Sequence, residues 1–339
     1  MMSFKVTLEP SGHSFEVETD EVVLDAAIRQ GLSLQYGCRN GVCGACKGKV
    51  VEGRIRYDNG LPGAISEAED AIGQVLLCSA KAETDLTLEL HEIGNGNEVP
   101  VRKMPSRVVK MERLADDVMR IYLKLPDTER MQFLAGQYID ILLKDGRRRS
   151  FSLANAPHDD ELLELHVRLI EGGEFTGHVF EGMQEKDILR IEGPYGTFTL
   201  QEESDRPLVF IAGGTGFAPI KGIIEHAIQE GVNRSIFIYW GARAKADLYL
   251  DALPQTWAQR DNIQYVPVLS QAAPEDKWQG RTGLVHEAVM QDFADLSVYE
   301  VYASGPPEMV QVARQGVMLR GLPSQHFYFD SFEFAHDYD

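Results

Sequence analysis

Residues 36–46 read Tyr36-Gly37-Cys38-Arg39-Asn40-Gly41-Val42-Cys43-Gly44-Ala45-Cys46, and the fourth and last cysteine of the chain, Cys78, follows well downstream. The spacing C-x4-C-x2-C with a remote fourth thiol is the plant-type [2Fe–2S] pattern. Four thiolates that converge on one anionic cluster need a backbone that wraps tightly and aims N–H groups at sulfur. Gly37, Gly41 and Gly44 supply conformations and clearance that a β-carbon would obstruct. The rival is a structural zinc site of four cysteines, but such sites usually assemble from two short Cys pairs rather than a triplet and a distant fourth ligand. A disulfide framework is a poor reading for a long chain with no secretory signal.

The rest of the chain is long enough for more than one core: 339 residues, 44% of them hydrophobic. The formal net charge of −19 argues against nucleic-acid or anionic-membrane binding. No run approaches the length of a membrane span, and the start MMSFKVTLEP lacks a secretory signal, so a soluble, cytoplasmic protein is expected.

Outward from the cysteines, FKVTLEP and HSFEVETD alternate around Ser11-Gly12 as a hairpin, and Val22–Gln30 reads as a short helix stopped by Gly31. Strands are expected near Gly48–Ile55 and at Asp85–Leu90. A flexible polar stretch, Gly94–Pro100, then marks a linker. Next come six short strands, Ser106–Arg113, Met119–Leu125, Tyr138–Leu143, Ser150–Ala154, Leu163–Ile170 and Ile188–Glu192, with one helix at Gly177–Met183. They predict a small antiparallel barrel. From Leu208 strands and helices alternate to His326–Phe329, the signature of a doubly wound parallel sheet. The expected division is 1–93, a linker 94–103, then 104–202 and 203–339.

Two further segments carry motifs. Gly172-Gly173-Glu174-Phe175-Thr176 is a glycine-rich turn into a helix capped by Thr176, and free N–H groups at a helix start suit a pyrophosphate. Gly213-Gly214-Thr215-Gly216-Phe217-Ala218-Pro219 sits between a strand and a helix, where the glycines let backbone approach phosphate. Gly241-Ala242-Arg243 and Ser304-Gly305-Pro306-Pro307 fall at the carboxyl ends of later strands, the edge where open α/β sheets bind ligands.

With these motifs in order, residues 1 to about 93 resemble a plant-type ferredoxin domain, which implies a β-grasp fold with Cys38, Cys43, Cys46 and Cys78 as cluster ligands. Residues from about 104 onward resemble the ferredoxin–NADP reductase superfamily, which implies an FAD barrel followed by an α/β nicotinamide domain. The order, ferredoxin first, is that of phenol hydroxylase and benzoate dioxygenase reductases. The chain resembles above all the reductases that partner CDP-4-keto-6-deoxyhexose 3-dehydrases.

The resemblance implies roles residue by residue. Arg149-Ser150-Phe151-Ser152 matches the family's Arg-x-Tyr-Ser, so Arg149 would contact the FAD pyrophosphate, Phe151 pack on the flavin ring, and Ser152 hydrogen-bond near its N5. Phe151 lacks the usual tyrosine hydroxyl. Gly173 and Thr176 fit the pyrophosphate turn. Gly214, Thr215 and Gly216 match the nicotinamide loop, and Ser304-Gly305-Pro306 stands where the family often has Cys-Gly-Pro, leaving no thiol at Ser304. Phe332 is the candidate to cover the flavin face until nicotinamide displaces it. Arg243 suits a 2′-phosphate, but no basic cluster surrounds it, so NADH is preferred over NADPH. FMN is the alternative to FAD.

The three carriers differ in electron count, and a flavin placed between a hydride donor and a one-electron cluster divides the pair. The expected function is an NAD(P)H-dependent reductase that delivers electrons to a partner enzyme, a sugar dehydrase or an oxygenase component. A stand-alone reductase of free flavin, ferric chelates or quinone is the second reading, and a redox sensor or electron-storage module the third.

Overall fold

A computed structural model describes residues 3–32, 34–90 and 99–332. The chain forms two compact units, Met1–Glu98 and Val99–Asp339. The expected linker 94–103 lies partly outside the described residues, and the first strand beyond it already begins at Arg102.

The first unit runs β1 (Ser3–Glu9), β2 (Ser14–Glu18), α1 (Val23–Arg29), β3 (Lys47–Glu52), β4 (Ile55–Arg56), α2 (Glu67–Ala71), β5 (Gln74–Leu76), β6 (Lys81–Ala82) and β7 (Leu86–Glu89). Alternation decides the hairpin register: Val6 faces Phe15 and Phe4 faces Val17 across β1 and β2. The sheet order is β2-β1-β7-β3-β5, with β1 and β7 parallel. Its apolar face carries Val6, Leu8 and Leu88, and Leu24 and Ala27 of α1 are buried with them. Helix α2 falls between the strands expected near Gly48–Ile55 and at Asp85–Leu90, where the sequence reading placed no helix. Ser66 and Glu69 close a capping box at its start, which stabilises even so short a helix.

The second unit begins with β8 (Arg102–Ala115), β9 (Val118–Lys124), β10 (Tyr138–Leu142), β11 (Arg148–Ser152), β12 (Leu163–Arg168), α3 (Glu174–Glu181) and β13 (Ile188–Tyr195). The six strands pair antiparallel in the order β11-β10-β13-β8-β9-β12. A bridge between Leu153 and Leu165 joins the two ends, so the sheet closes as a barrel. Helix α3 starts three residues before the expected Gly177, because Gly173, not Thr176, is its first cap position.

A parallel sheet follows: β14 (Leu208–Gly213), α4 (Phe217–Gln229), β15 (Ile236–Ala242), α5 (Ala252–Trp257), β16 (Ile263–Leu269), β17 (Arg281–Thr282), α6 (Val285–Asp292), β18 (Glu300–Gly305), α7 (Pro307–Leu319) and β19 (Phe327–Ser331). Its order is β17-β16-β15-β14-β18-β19, so strand order reverses between β14 and β18. Helix α5 begins only at Ala252, because the Asp247 carboxylate accepts from the Ala244 N–H and closes a separate turn first. Val118, Ala135, Phe198 and Leu200 from the barrel side join Phe217, Ile220 and Trp240 in one core, which ties barrel and parallel sheet together. No described helix is long and apolar enough to cross a membrane.

Candidate functional site

In the cysteine loop the thiols group two by two. The Cys38 N–H donates to Cys43 Sγ and the Cys43 N–H to Cys38 Sγ, both at 3.4 Å; the Cys78 N–H donates to Cys46 Sγ at 3.4 Å. Ala45 adds an N–H to Cys43 Sγ at 3.5 Å. A hydrogen bond from the Cys43 thiol is the largest cause that brings Cys38 down to about 6, and Cys46 likewise lowers Cys78. Gly41 holds a φ of +82°, and a β-carbon there would lie 2.8 Å from Ser79 Oγ, so glycine lets the loop close over the neighbour of Cys78. Arg39, paired with Asp25 at 2.9 Å, ties the loop to α1. Among the described residues no three His, Cys, Asp or Glu side chains gather as one ion would need. Two pairs of thiols with amides aimed at sulfur fit two irons better than a single zinc.

The flavin motif lies on β11. The Phe151 ring packs on Phe175 in the first turn of α3, centroids 5.5 Å apart, which brings Arg149–Ser152 beside the Gly172–Thr176 turn. Arg149 donates to the Arg148 carbonyl at 2.9 Å. Thr176 is not the cap: it sits inside the helix, and its Oγ1 reaches back to accept the Ile170 N–H at 3.1 Å. With Gly173 at the cap, no cap side chain hydrogen-bonds the helix start, which leaves first-turn N–H groups available to a ligand.

At the carboxyl edge of the parallel sheet, the loop Gly214–Gly216 and the end of β18 meet backbone to backbone. A β-carbon on Gly216 would stand 2.0 Å from the Ser304 carbonyl oxygen, which only glycine avoids. Thr215 is buried in that turn, and Pro306 stands at the cap of α7. The Ser304 hydroxyl is fully buried, and no hydrogen-bond partner meets it among the described residues.

Strand β19 completes the arrangement. It pairs Asp330 beside Ser304 and Ser331 beside Gly305, and the Phe332 N–H donates to the Gly305 carbonyl at 2.9 Å. Ser152 Oγ, from the barrel, donates to Asp330 Oδ2 at 2.8 Å. Flavin strand, nicotinamide edge and C-terminal strand therefore converge on Ser152, Ser304, Gly305, Asp330 and Phe332. Asp330 had no assigned role in the sequence reading. Its signal was an acidic residue at the carboxyl end of a parallel strand. Glu333 lies outside the described residues.

Arg168 and Asp117 were also missed. Arg168, at the end of β12, donates to Asp117 at 2.8 Å, and its guanidinium lies where a β-carbon on Gly214 would be, 2.4 Å away. Arg243 is exposed and reaches the same Asp117 at 3.5 Å and Asp247 at 3.7 Å. A cavity of about 620 Å³ lined by His158, Asp159, Lys221, Glu225, Trp257 and Arg260 includes none of the motif residues and is not this site.

Three family profiles match the chain: "2Fe-2S iron-sulfur cluster binding domain" over residues 6–83, "Oxidoreductase FAD-binding domain" over 105–200 and "Oxidoreductase NAD-binding domain" over 210–315. The CDP-6-deoxy-L-threo-D-glycero-4-hexulose-3-dehydrase reductase of Yersinia pestis is 38% identical across 98% of this chain and 99% of its own. The reductase component DmpP of phenol 2-monooxygenase from a Pseudomonas species is 35% identical across 99% and 96%. Among solved structures, the Amycolatopsis cytochrome P450 reductase GcoB aligns with a TM-score of 0.81 at 31% identity, covering 97% of this chain and 98% of that one. The chain belongs to the NAD(P)H-dependent iron–sulfur flavoprotein reductases, oxidoreductases that join a [2Fe–2S] ferredoxin domain to FAD-binding and NAD-binding domains.

Proposed function

We propose that the chain is the electron-supplying component of a cytoplasmic two-protein system, and that it passes electrons from NADH to a partner of the sugar dehydrase or oxygenase-component class. The single observation that carries the reading is the meeting of Ser152, Asp330 and the Gly214–Gly216 and Ser304–Pro306 turns at one edge. When bound, the nicotinamide supplies a hydride, the flavin divides the electron pair and the cluster carries electrons singly. The work of this chain is positional. Residues 1–93 hold the cluster through Cys38, Cys43, Cys46 and Cys78. Residues 104–202 bind FAD, with the Arg149 fork and the α3 turn on phosphate and Phe151 against the ring. Residues 203–339 bind the nucleotide. The names of the relatives support the partner class.

NADH is preferred because Arg243 is already shared by two carboxylates, Asp117 and Asp247. A 2′-phosphate brought to that guanidinium meets their like charge. Anaerobic titration with each nucleotide tests the whole reading, followed by visible absorption and EPR. NADH is expected to bleach the flavin and raise a reduced-cluster EPR signal at lower concentration than NADPH. Equal response to both overturns the nucleotide assignment, and flavin bleaching with no cluster signal overturns internal electron transfer.

Phe332 is expected to act as a movable cover, because β19 delivers its backbone to Gly305. Phe332→Ala then alters the NADH-to-NADPH preference or the hydride-transfer rate. Stopped-flow kinetics identical to wild type for both nucleotides discard the role.

A further inference from the structure

Helix α4 begins where the Gly214–Gly216 turn ends, and its sequence FAPIKGIIEHAIQ is apolar on nearly every buried position except Lys221. Lysine is almost never fully buried unless it is paired, yet Lys221 is only 6% exposed. An ammonium has three N–H donors, and each has one acceptor here: the Ala154 carbonyl at 3.0 Å, Glu164 Oε2 at 3.1 Å and Glu225 Oε2 at 2.9 Å. Ala154 lies two residues beyond Ser152 on the exit of the flavin strand, and Glu164 lies on β12. Lys221 thus bridges the helix that carries the nicotinamide loop and the strand that carries the flavin motif.

The accounting closes around it. Glu164 Oε1 accepts from His166 Nε2 at 2.8 Å, and a carboxylate only accepts, so Nε2 carries the ring proton. His166 Nδ1 then accepts from the Tyr249 hydroxyl at 3.0 Å, a second link from barrel to parallel sheet. Burial lowers His166 and keeps the ring neutral. Burial also opposes the charge on Glu164, but the His166 hydrogen bond and the Lys221 charge prevail and hold it at about 2. Beside Lys221, a β-carbon on Gly222 would fall 2.9 Å from the Asn155 carbonyl oxygen, so helix and strand exit already touch. Replacing such a network as a whole by apolar side chains often costs no stability, whereas loss of Lys221 alone leaves the buried Glu164 carboxylate without its ammonium partner. The best-attested use of a buried network of this kind is to fix register.

We propose that Lys221 is a positioning residue for hydride transfer, locking the Leu153–Asn155 strand exit onto α4 so that Ser152 and the Gly214–Gly216 loop keep one separation. The idea rests on the assignment of those residues to flavin and nicotinamide. Hydride transfer needs reacting atoms within a few tenths of an ångström of the productive distance, so a strut that fixes both sides acts on the rate and hardly on affinity.

The test is Lys221→Met in the full chain with cluster and FAD loaded, mixed anaerobically with NADH. The limiting rate of flavin bleaching is expected to fall about tenfold while the Kd for NADH changes by less than about threefold. The long-wavelength band of stacked nicotinamide and flavin weakens, and FAD content and dithionite reduction of the cluster stay at wild-type values. Glu225→Gln leaves both cross-links in place and is expected to keep the wild-type rate. A Lys221→Met protein with lowered Tm but an unchanged limiting rate and band shows a merely structural lysine and overturns the proposal. Should that variant fail to hold FAD, Lys221→Gln, which keeps one donor for Ala154, is judged by the same rate and band. Ser152→Ala separates the two levels. If it too transfers hydride at the wild-type rate, the parent assignment has failed; if it is slow while Lys221→Met is fast, only the strut has.

Discussion

Cys46→Ala is expected to leave NADH-driven bleaching of the flavin intact while it removes the reduced-cluster EPR signal and cuts electron delivery to cytochrome c by more than about 100-fold. Changes in groups that merely orient a metal ligand cost 10–100-fold by themselves, so loss of a ligand exceeds that range. The geometry says why Cys46 is decisive. Its sulfur is paired with Cys78 and accepts the Cys78 N–H, so without it the pair that would hold one iron is reduced to a single thiol. The fold tolerates the change. Alanine suits a position only 4% exposed, and the main-chain bond from the Leu77 N–H to the Cys46 carbonyl, 3.2 Å, does not depend on the side chain. The flavin unit, Val99–Asp339, contains no cysteine and has its own cores, so hydride uptake there proceeds. Metal analysis and EPR at equal protein concentration decide the matter. A full-strength cluster signal in Cys46→Ala removes this cysteine from the ligand set. Loss of flavin bleaching in a folded variant overturns the independence of the two units.

The difference between what could and could not be read from the sequence follows from how far each feature reaches along the chain. The cysteine loop is local, because its glycines and three of the four thiols lie within residues 36–46. The alternation of strands and helices after Leu208 is local too, and each predicted strand appears in the parallel sheet. Thr176 misled for a local reason. Threonine is a good cap, but the Gly172-Gly173 pair allows the chain to turn earlier, and the hydroxyl then serves Ile170. Helix α2 was legible and overlooked, since Ser66 and Glu69 carry the capping-box spacing. The pair of Ser152 and Asp330 was not legible. The two residues lie 178 positions apart in the chain, and only closure of the barrel against the last parallel strand makes them neighbours. The same holds for Asp117, which gathers Arg168 and Arg243 from two different sheets.

That distant pair carries the other large effect: Ser152→Ala is expected to slow hydride transfer on the order of 100-fold, the loss that follows removal of one preorganised hydrogen-bonding group at a reacting centre. Ser152 is buried, and its hydroxyl has two settings. With its proton directed to Asp330, as in the structure, the oxygen keeps lone pairs free and could accept from an N–H; with the proton swung away, it could donate to an unprotonated nitrogen. One hydroxyl could thus serve a bound flavin in either redox state, and Asp330 is the acceptor that holds the first setting. Asp330→Ala is expected to lose less, about tenfold, because the hydroxyl remains but turns freely. If the two act as a unit, the double variant is no slower than Ser152→Ala, since Asp330 works only through the serine. Single-turnover stopped flow with NADH measures all three. A Ser152→Ala rate within about threefold of wild type, under about 0.7 kcal/mol of barrier, ends the role of the hydroxyl. Multiplicative losses in the double variant instead give Asp330 an action of its own on the nicotinamide side, where it lies beside Ser304.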